Sequence, residues 1–520
     1  MSYLRFQRVL VLFGLVAVLA ACSDEISHID LKATAVSTEC WPGNYPTPRA
    51  ITVTPAEPTT TATAGVGTPT ATALPTTTPY PRCTPIPGQP TSIPYPTALP
   101  TPVAYPTDIP RAIQGGSDTQ LLMDLPGIVH NLDMAVHPAY GWPAVVATNQ
   151  DWSGTPDPDH RRIFAQVYNP RARTWGRARQ LNVPPEDGNG GYGGVAVGIT
   201  GDGTVHVAWG GAFTPNKPVW YTNSTDYGET WSTPITIGQG CYNVQDVATT
   251  LDGQLVVLAL CTPTDTTQWD VWPGLIQRRA DGTWLPKADI RVDGRWGSVV
   301  LVGDGDEARA VALLANHSTT GTGYIIQKRL ADPGGWQVQS KDLSPPPGYT
   351  RSEATYYLFR AMSFTRPNGT DGLTFTWSVY GANAIYAITS LDGGQSWGNT
   401  EAVVVYHDPE EGQPPLLDHR FSAPAYDARA DRLAILYVAS DTQSTFPPIG
   451  THYAGWSVPG SGRWFPSAVP GSYQARIPLV TGAQRAAYTA TAQTSNASYF
   501  WLAWVDRYQH IKVRSLDLNL

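Results

Sequence analysis

From about residue 111 to residue 520 the apolar positions fall in short runs rich in β-branched and aromatic side chains. Examples are Thr204–Trp209, Leu255–Leu260 and Tyr499–Val505, each bounded by turn-forming residues. No 3.6-residue periodicity persists through these runs, so the pattern predicts short strands and an all-β domain. Roughly 410 residues are too many for one compact core. Blades packed around an axis resolve this, because each blade then buries its apolar faces against its neighbours.

The strand pattern repeats. Tight turns followed by a tryptophan place Trp175, Trp231, Trp284, Trp336, Trp397 and Trp464 at intervals of 56, 53, 52, 61 and 67 residues, the scale of a four-stranded propeller blade. Seven stretches rich in small residues each open a unit: Asp133–Pro138, Gly194–Gly203, Asp246–Gly253, Ser298–Gly305, Arg360–Gly369, Arg420–Asp427 and Tyr488–Asn496. The seventh unit runs out after His510–Asp517, one strand short. A strand near Gln120–Leu125 is expected to supply the missing one and close the ring, leaving no open edge. The expected fold is a β-propeller of seven four-stranded antiparallel blades, with six as the alternative.

Two of the turns share a fuller pattern, S-x-D-x-G-x-[ST]-W. One copy is Ser224, Asp226, Gly228 and Trp231; the other is Ser390, Asp392, Gly394 and Trp397. Ser and Asp side chains can bond turn amides, Gly accepts a positive φ, and Trp leaves the turn to fill a core. Weaker copies, such as Asp281-Gly282-Thr283-Trp284 and Asp332 to Trp336, keep the turn and its Trp. The full pattern resembles the Asp-box, or BNR repeat, of sialidases and related β-propellers, where the box is a folding element. Sialidases have six blades, so the resemblance is the source of the six-blade alternative.

The segment ahead of the propeller is of another kind. Met1–Ala21 carries Arg5 and Arg8, then an apolar run of 12 residues from Val9 to Ala20, too short to span a bilayer and typical of a secretory signal. Its Leu19-Ala20-Ala21-Cys22 ending resembles a bacterial lipobox, which implies cleavage before Cys22, acylation of that thiol, and attachment to the outer side of the cell membrane. Residues 22–110 are dominated by Thr, Pro and Ala, as in Thr59-Thr60-Thr61-Ala62-Thr63. That composition is expected to stay disordered and extended, a stalk that lifts the propeller (111–520) from the membrane.

Charge and cysteines narrow the partners. The formal charge of −8 becomes −10 without the signal, which argues against nucleic acid or anionic lipid. The lipid anchor is thus the expected contact with the membrane. Cys241 and Cys261 flank one hairpin around the Asp252-Gly253 turn and should face each other on paired strands, as a disulfide or as two buried thiols. Cys40 and Cys83 lie in the stalk. No paired Cys or His spacing marks a metal site, and no cofactor is expected.

Candidate chemistry lies where the inner strands begin. Arg295, Arg360 and Arg420 precede or open three consecutive inner strands, Arg485 does so in the next unit, and Asp133 and Asp246 hold comparable places in the first and third. Guanidinium forks bind carboxylates bidentately, so the cluster suits an acidic ligand. Resemblance to sialidases implies an arginine clamp for an acidic sugar, a Tyr/Glu nucleophile pair and an Asp acid/base. Tyr356 with Glu353 and Asp133 (or Asp151) are the residues that match those roles. The Arg476-Ile477-Pro478 tripeptide stands in the wrong unit for the family's Arg-Ile-Pro signature. An arginine at a strand start serves equally well in an inter-blade ion pair, and Trp152, Trp269 and Trp272 serve equally in sugar stacking or in packing.

Two functions stay open. One is a lipid-anchored propeller that binds and hydrolyses terminal acidic sugars, of exo-α-sialidase type. The other is a non-catalytic propeller that binds a glycan or a protein partner, or scaffolds an assembly.

Overall fold

The computed structural model describes residues 120–125, 127–150, 161–182, 194–210, 218–262, 271–315, 321–344, 355–380, 384–405, 418–440, 449–462, 464–465, 477–484, 489–492, 499–506 and 509–517. Residues 1–119, among them the segment read as a signal, Cys22, the Thr/Pro-rich segment, Cys40 and Cys83, lie outside them.

Seven antiparallel sheets make a β-propeller, with four strands in each blade and a further strand, Arg179–Gln180 or Ile477–Gln484, beside the third strand of the first and sixth blades. The inner strands are Ile128–Val136, Val195–Ile199, Cys241–Thr249, Trp296–Val302, Thr355–Thr365, Asp418–Asp427 and Thr489–Ala492. Each packs against the next in chain order, and the last returns to the first. All seven coincide with the small-residue stretches that open the units in sequence.

The ring closes through its N-terminal strand. Gln120–Asp124 pairs antiparallel with His510–Asp517, which continues through Tyr499–Val505 to the inner strand Thr489–Ala492. The last blade thus takes its outer strand from the start of the domain, as the missing strand of the seventh unit required. Leu122 and Met123 of that strand are buried with Val145 and Ala147 of the first blade and Ile511 and Val513 of the last.

Apolar burial lies between the blades. The second strands Leu255–Cys261 and Arg309–Ala315 are buried along almost their whole length, because each is sandwiched by the blades on either side. This is why their sequences read as continuous apolar runs and do not alternate. One such layer, with Val311, Leu313, Phe375, Trp377 and Tyr386, joins the fourth and fifth blades. Another, with Val146, Ile163, Val197, Val207 and Trp209, joins the first and second.

The two full Ser-Asp-Gly-Trp turns connect third to fourth strands in the second and fifth blades, and their bonding is the same. Ser224 Oγ accepts from the Gly228 N–H at 2.9 Å and donates to Asp226 Oδ1 at 2.8 Å, while Asp226 Oδ1 accepts from the Thr230 N–H at 2.9 Å. Ser390, Asp392, Gly394 and Ser396 repeat these three bonds, each at 2.8 Å. Gly228 and Gly394 have φ of 82° and 90°, a region that disfavours any Cβ. Trp231 and Trp397 then lie against the inter-blade layers.

Cys241 and Cys261 are directly opposite each other on the inner and second strands of the third blade and are joined as a disulfide. Gly274 of the third strand lies over Cys261 Sγ, where a side chain would collide with the sulfur.

Candidate functional site

Among the described residues, six of the inner strands line an axial cavity of ≈ 390 Å³. Three ionisable side chains form a belt in its wall: Asp133 from the first blade, Asp246 from the third and Arg360 from the fifth. From this belt the cavity runs to the turns that follow the inner strands, where Thr250, Leu251, Asp304 and Asp371 line it.

Local backbone irregularity helps to aim these groups. The pairing register shifts between Val244 and Asp246 in the third blade, and between Tyr357 and Arg360 in the fifth. A bulge re-aims the side chain that follows it and is common beside functional sites. Asp133 and Asp246 make the same kind of link, each reaching from its own inner strand to that of the next blade. Asp133 Oδ2 accepts from the Val197 N–H at 2.9 Å. Asp246 Oδ2 accepts from the Val299 N–H at 3.0 Å and from the Ser298 hydroxyl, while its Oδ1 accepts from the Val247 N–H at 2.8 Å. Arg360 Nη1 donates to the Phe359 carbonyl at 3.2 Å.

The belt perturbs its own protonation. Burial pushes the Asp133 carboxyl up to about 7; the Arg360 guanidinium opposes the rise and the Asp246 charge adds to it. Burial also raises Asp246, against the pull of the Ser298 hydroxyl, Arg360 and two backbone amides. Near neutral pH the belt therefore holds a carboxyl poised to give or take a proton beside a permanent cation.

Of the residues singled out in sequence, the described structure brings Asp133, Asp246 and Arg360 together, and Arg360 is the one arginine of the described lining. Arg295 is exposed and lies outside that lining; its backbone is fixed by an N–H bond to the Ala315 carbonyl and by the Gln245 amide, which donates to its carbonyl at 2.6 Å. Arg420 and Tyr356 occupy inner strands, paired with Val438 and Val379, and their side chains lie outside the described residues. Glu353, Arg485, Asp151, Trp152, Trp269 and Arg476 lie outside them altogether. Trp272 opens the third strand of its blade and is half-buried. Sequence reasoning did not single out Ser298 as the donor that holds Asp246, nor Asp304 and Asp371 at the far end of the cavity; a bond between neighbouring inner strands leaves no mark in a single chain's spacing. Among the described residues, no group of three or more His, Cys, Asp or Glu is arranged to hold a metal ion.

No family model matches this chain, and no curated protein matches it in sequence. Several solved structures are similar. A Hadza microbial sialidase aligns at 18% identity and a TM-score of 0.41, over 60% of this chain and 63% of its own. A polysaccharide lyase described as an ulvan lyase aligns at 10% identity and 0.46, over 76% and 95%. The Aleuria aurantia lectin, in complex with a fucosylated disaccharide, aligns at 12% and 0.37, over 65% and 96%. This chain thus spans less than two thirds of the sialidase's length.

Proposed function

We propose that this protein is a carbohydrate-binding propeller and that Arg360 takes the carboxylate of an acidic sugar in the axial cavity. The observation that carries this reading is the meeting of Arg360, Asp133 and Asp246 in one cavity wall. Its ≈ 390 Å³ falls within the size range of small-ligand pockets. A guanidinium fork suits a carboxylate, and the two aspartates suit sugar hydroxyls as acceptors. The finer reading is hydrolysis of exo-α-sialidase type, with Asp133 giving its proton to the departing glycosidic oxygen. The Ser-Asp-Gly-Trp pattern and its likeness to sialidase repeats support that direction. The lipobox-like Leu19-Ala20-Ala21-Cys22 and the Thr/Pro-rich segment support display outside the cell on a lipid anchor.

A second reading, a non-catalytic glycan- or protein-binding module, draws support from the amide bonds that occupy both carboxylates and make them braces between inner strands. Calorimetric titration with a methyl α-sialoside, together with hydrolysis of a fluorogenic α-sialoside, tests both. The expected result is saturable binding that weakens at least about tenfold in Arg360→Ala, the loss of one charge-assisted bidentate contact. Turnover sensitive to Asp133→Asn supports the glycosidase, and binding without turnover supports the module. Folded protein that neither binds nor turns over the sialoside sinks the acidic-sugar reading.

A further inference from the structure

We propose that the axial site takes up one proton, on Asp133, when it binds an acidic ligand, so that its grip on carboxylates is set by pH. The inference rests on Arg360 as the partner of the ligand's carboxylate.

Charge counting within the belt comes first. Among the described lining residues, Asp133 and Asp246 meet Arg360 as the one guanidinium. A ligand carboxylate at Arg360 introduces a third acidic group around that one cation, in a site walled by packed strands where like charges repel strongly. Protonating one aspartate removes the excess.

Hydrogen bonds decide which aspartate accepts the proton. Asp246 accepts from the Ser298 hydroxyl and from the Val299 and Val247 amides. Asp133 receives the Val197 amide and that of Met134. Donors stabilise the ionised form, so the better-served Asp246 keeps its charge and Asp133 takes the proton. Burial has already brought Asp133 to about 7, so the ligand's charge has only a short way to push it.

Among the described lining residues, the other groups near Asp133 do not compete. The neighbouring inner strand contributes Val197 and Gly198 and the sixth blade Ala423 and Pro424, none of them titratable. Asp304 and Asp371, which line the cavity, add negative potential and reinforce proton uptake.

With a free-state value near 7 and a bound-state value raised well clear of the assay range, affinity for a carboxylate ligand falls by up to about tenfold from pH 6 to pH 8. The probe is methyl α-sialoside, with its neutral methyl ester as control. Calorimetry at pH 6, 7 and 8, in buffers of different ionisation enthalpy, reads the proton directly. About half a proton is expected per ligand at pH 7 and close to one at pH 8. The ester should bind without a pH slope, and Asp133→Asn should lose the slope for the acid. If Asp133→Asn fails to fold, the buffer dependence of the wild-type heat alone decides. Binding of the acid with the same affinity at pH 6 and pH 8 and no proton uptake overturns the inference and leaves the binding reading intact. No binding at any pH overturns both.

Discussion

Replacing Asp133 with Asn keeps an oxygen for the Val197 N–H and removes a cavity-wall carboxyl whose charge is costly to bury. Its carboxyl is raised from 3.8 to about 7 by burial, against the opposing pull of Arg360. Each unit is worth about 1.4 kcal/mol, so the full penalty on the ionised form approaches about 4 kcal/mol. The residue is half-buried and lines a cavity that water can enter, and this screening brings the expected figure to about 2–3 kcal/mol. The sign follows from the direction of the shift. The native state holds this proton more tightly than the unfolded chain, so the contribution to stability is complete below pH 4 and is lost as pH rises through 7. Asn is neutral throughout. Urea unfolding of the purified wild type and of Asp133→Asn at pH 4.5, 6, 7 and 8.5 should give stability curves that diverge with pH, the variant gaining about 2–3 kcal/mol on the wild type across the range. Titrating groups remote from the cavity are common to both proteins and cancel in the difference. Parallel curves from pH 4.5 to 8.5 would refute the reasoning, since they would mean that Asp133 titrates alike in the folded and unfolded chains.

Three further outcomes are expected. Gly228→Ala combines a φ of 82° with a new Cβ 2.7 Å from Val167 Cγ2 on the first blade, whereas Gly369→Ala has a φ of 79° and nothing within 4 Å; thermal unfolding should show a loss of about 2–4 kcal/mol for the first and about 1 kcal/mol for the second. Asp431 holds Arg366 of the fifth blade through bonds of 3.2 and 2.6 Å and accepts from Tyr426 Oη at 2.7 Å, and these donors keep its carboxyl below the usual range. Asp431→Asn should therefore cost about 1–3 kcal/mol in urea unfolding at pH 7, a deficit that shrinks as pH falls and the wild-type carboxylate is protonated. Met123→Ala, in the strand that closes the ring, should cost about 2–4 kcal/mol and raise amide exchange in both Gln120–Asp124 and His510–Asp517, which are paired.

Strand chemistry, the blade period and the closing strand were all legible in the chain. Strands of the Leu255–Leu260 kind announce themselves by β-branched runs, and the turn-to-tryptophan spacing sets the repeat because each tryptophan must reach the layer against the next blade. Closure was legible because His510–Asp517 lacked a partner downstream while Gln120–Leu125 stood unclaimed upstream. The site was legible only in part. In sequence Arg295 and Arg360 mark similar places, yet Arg360 falls in the middle of its inner strand Thr355–Thr365, aimed by the register shift after Tyr357, and lines the cavity, whereas Arg295 lies ahead of Trp296–Val302 and is exposed. Such shifts arise from how a strand fits its neighbours across the ring, and nothing in local sequence encodes them. Likewise, the sequence named Asp133 and Asp246 as carboxylates, but tertiary structure alone decided that both are braced by the next blade, that Ser298 serves one of them, and that burial beside a single guanidinium brings Asp133 to about 7. Local physics writes the blades; the protonation and reach of the axial groups belong to the closed ring, where residues more than a hundred positions apart share one cavity wall.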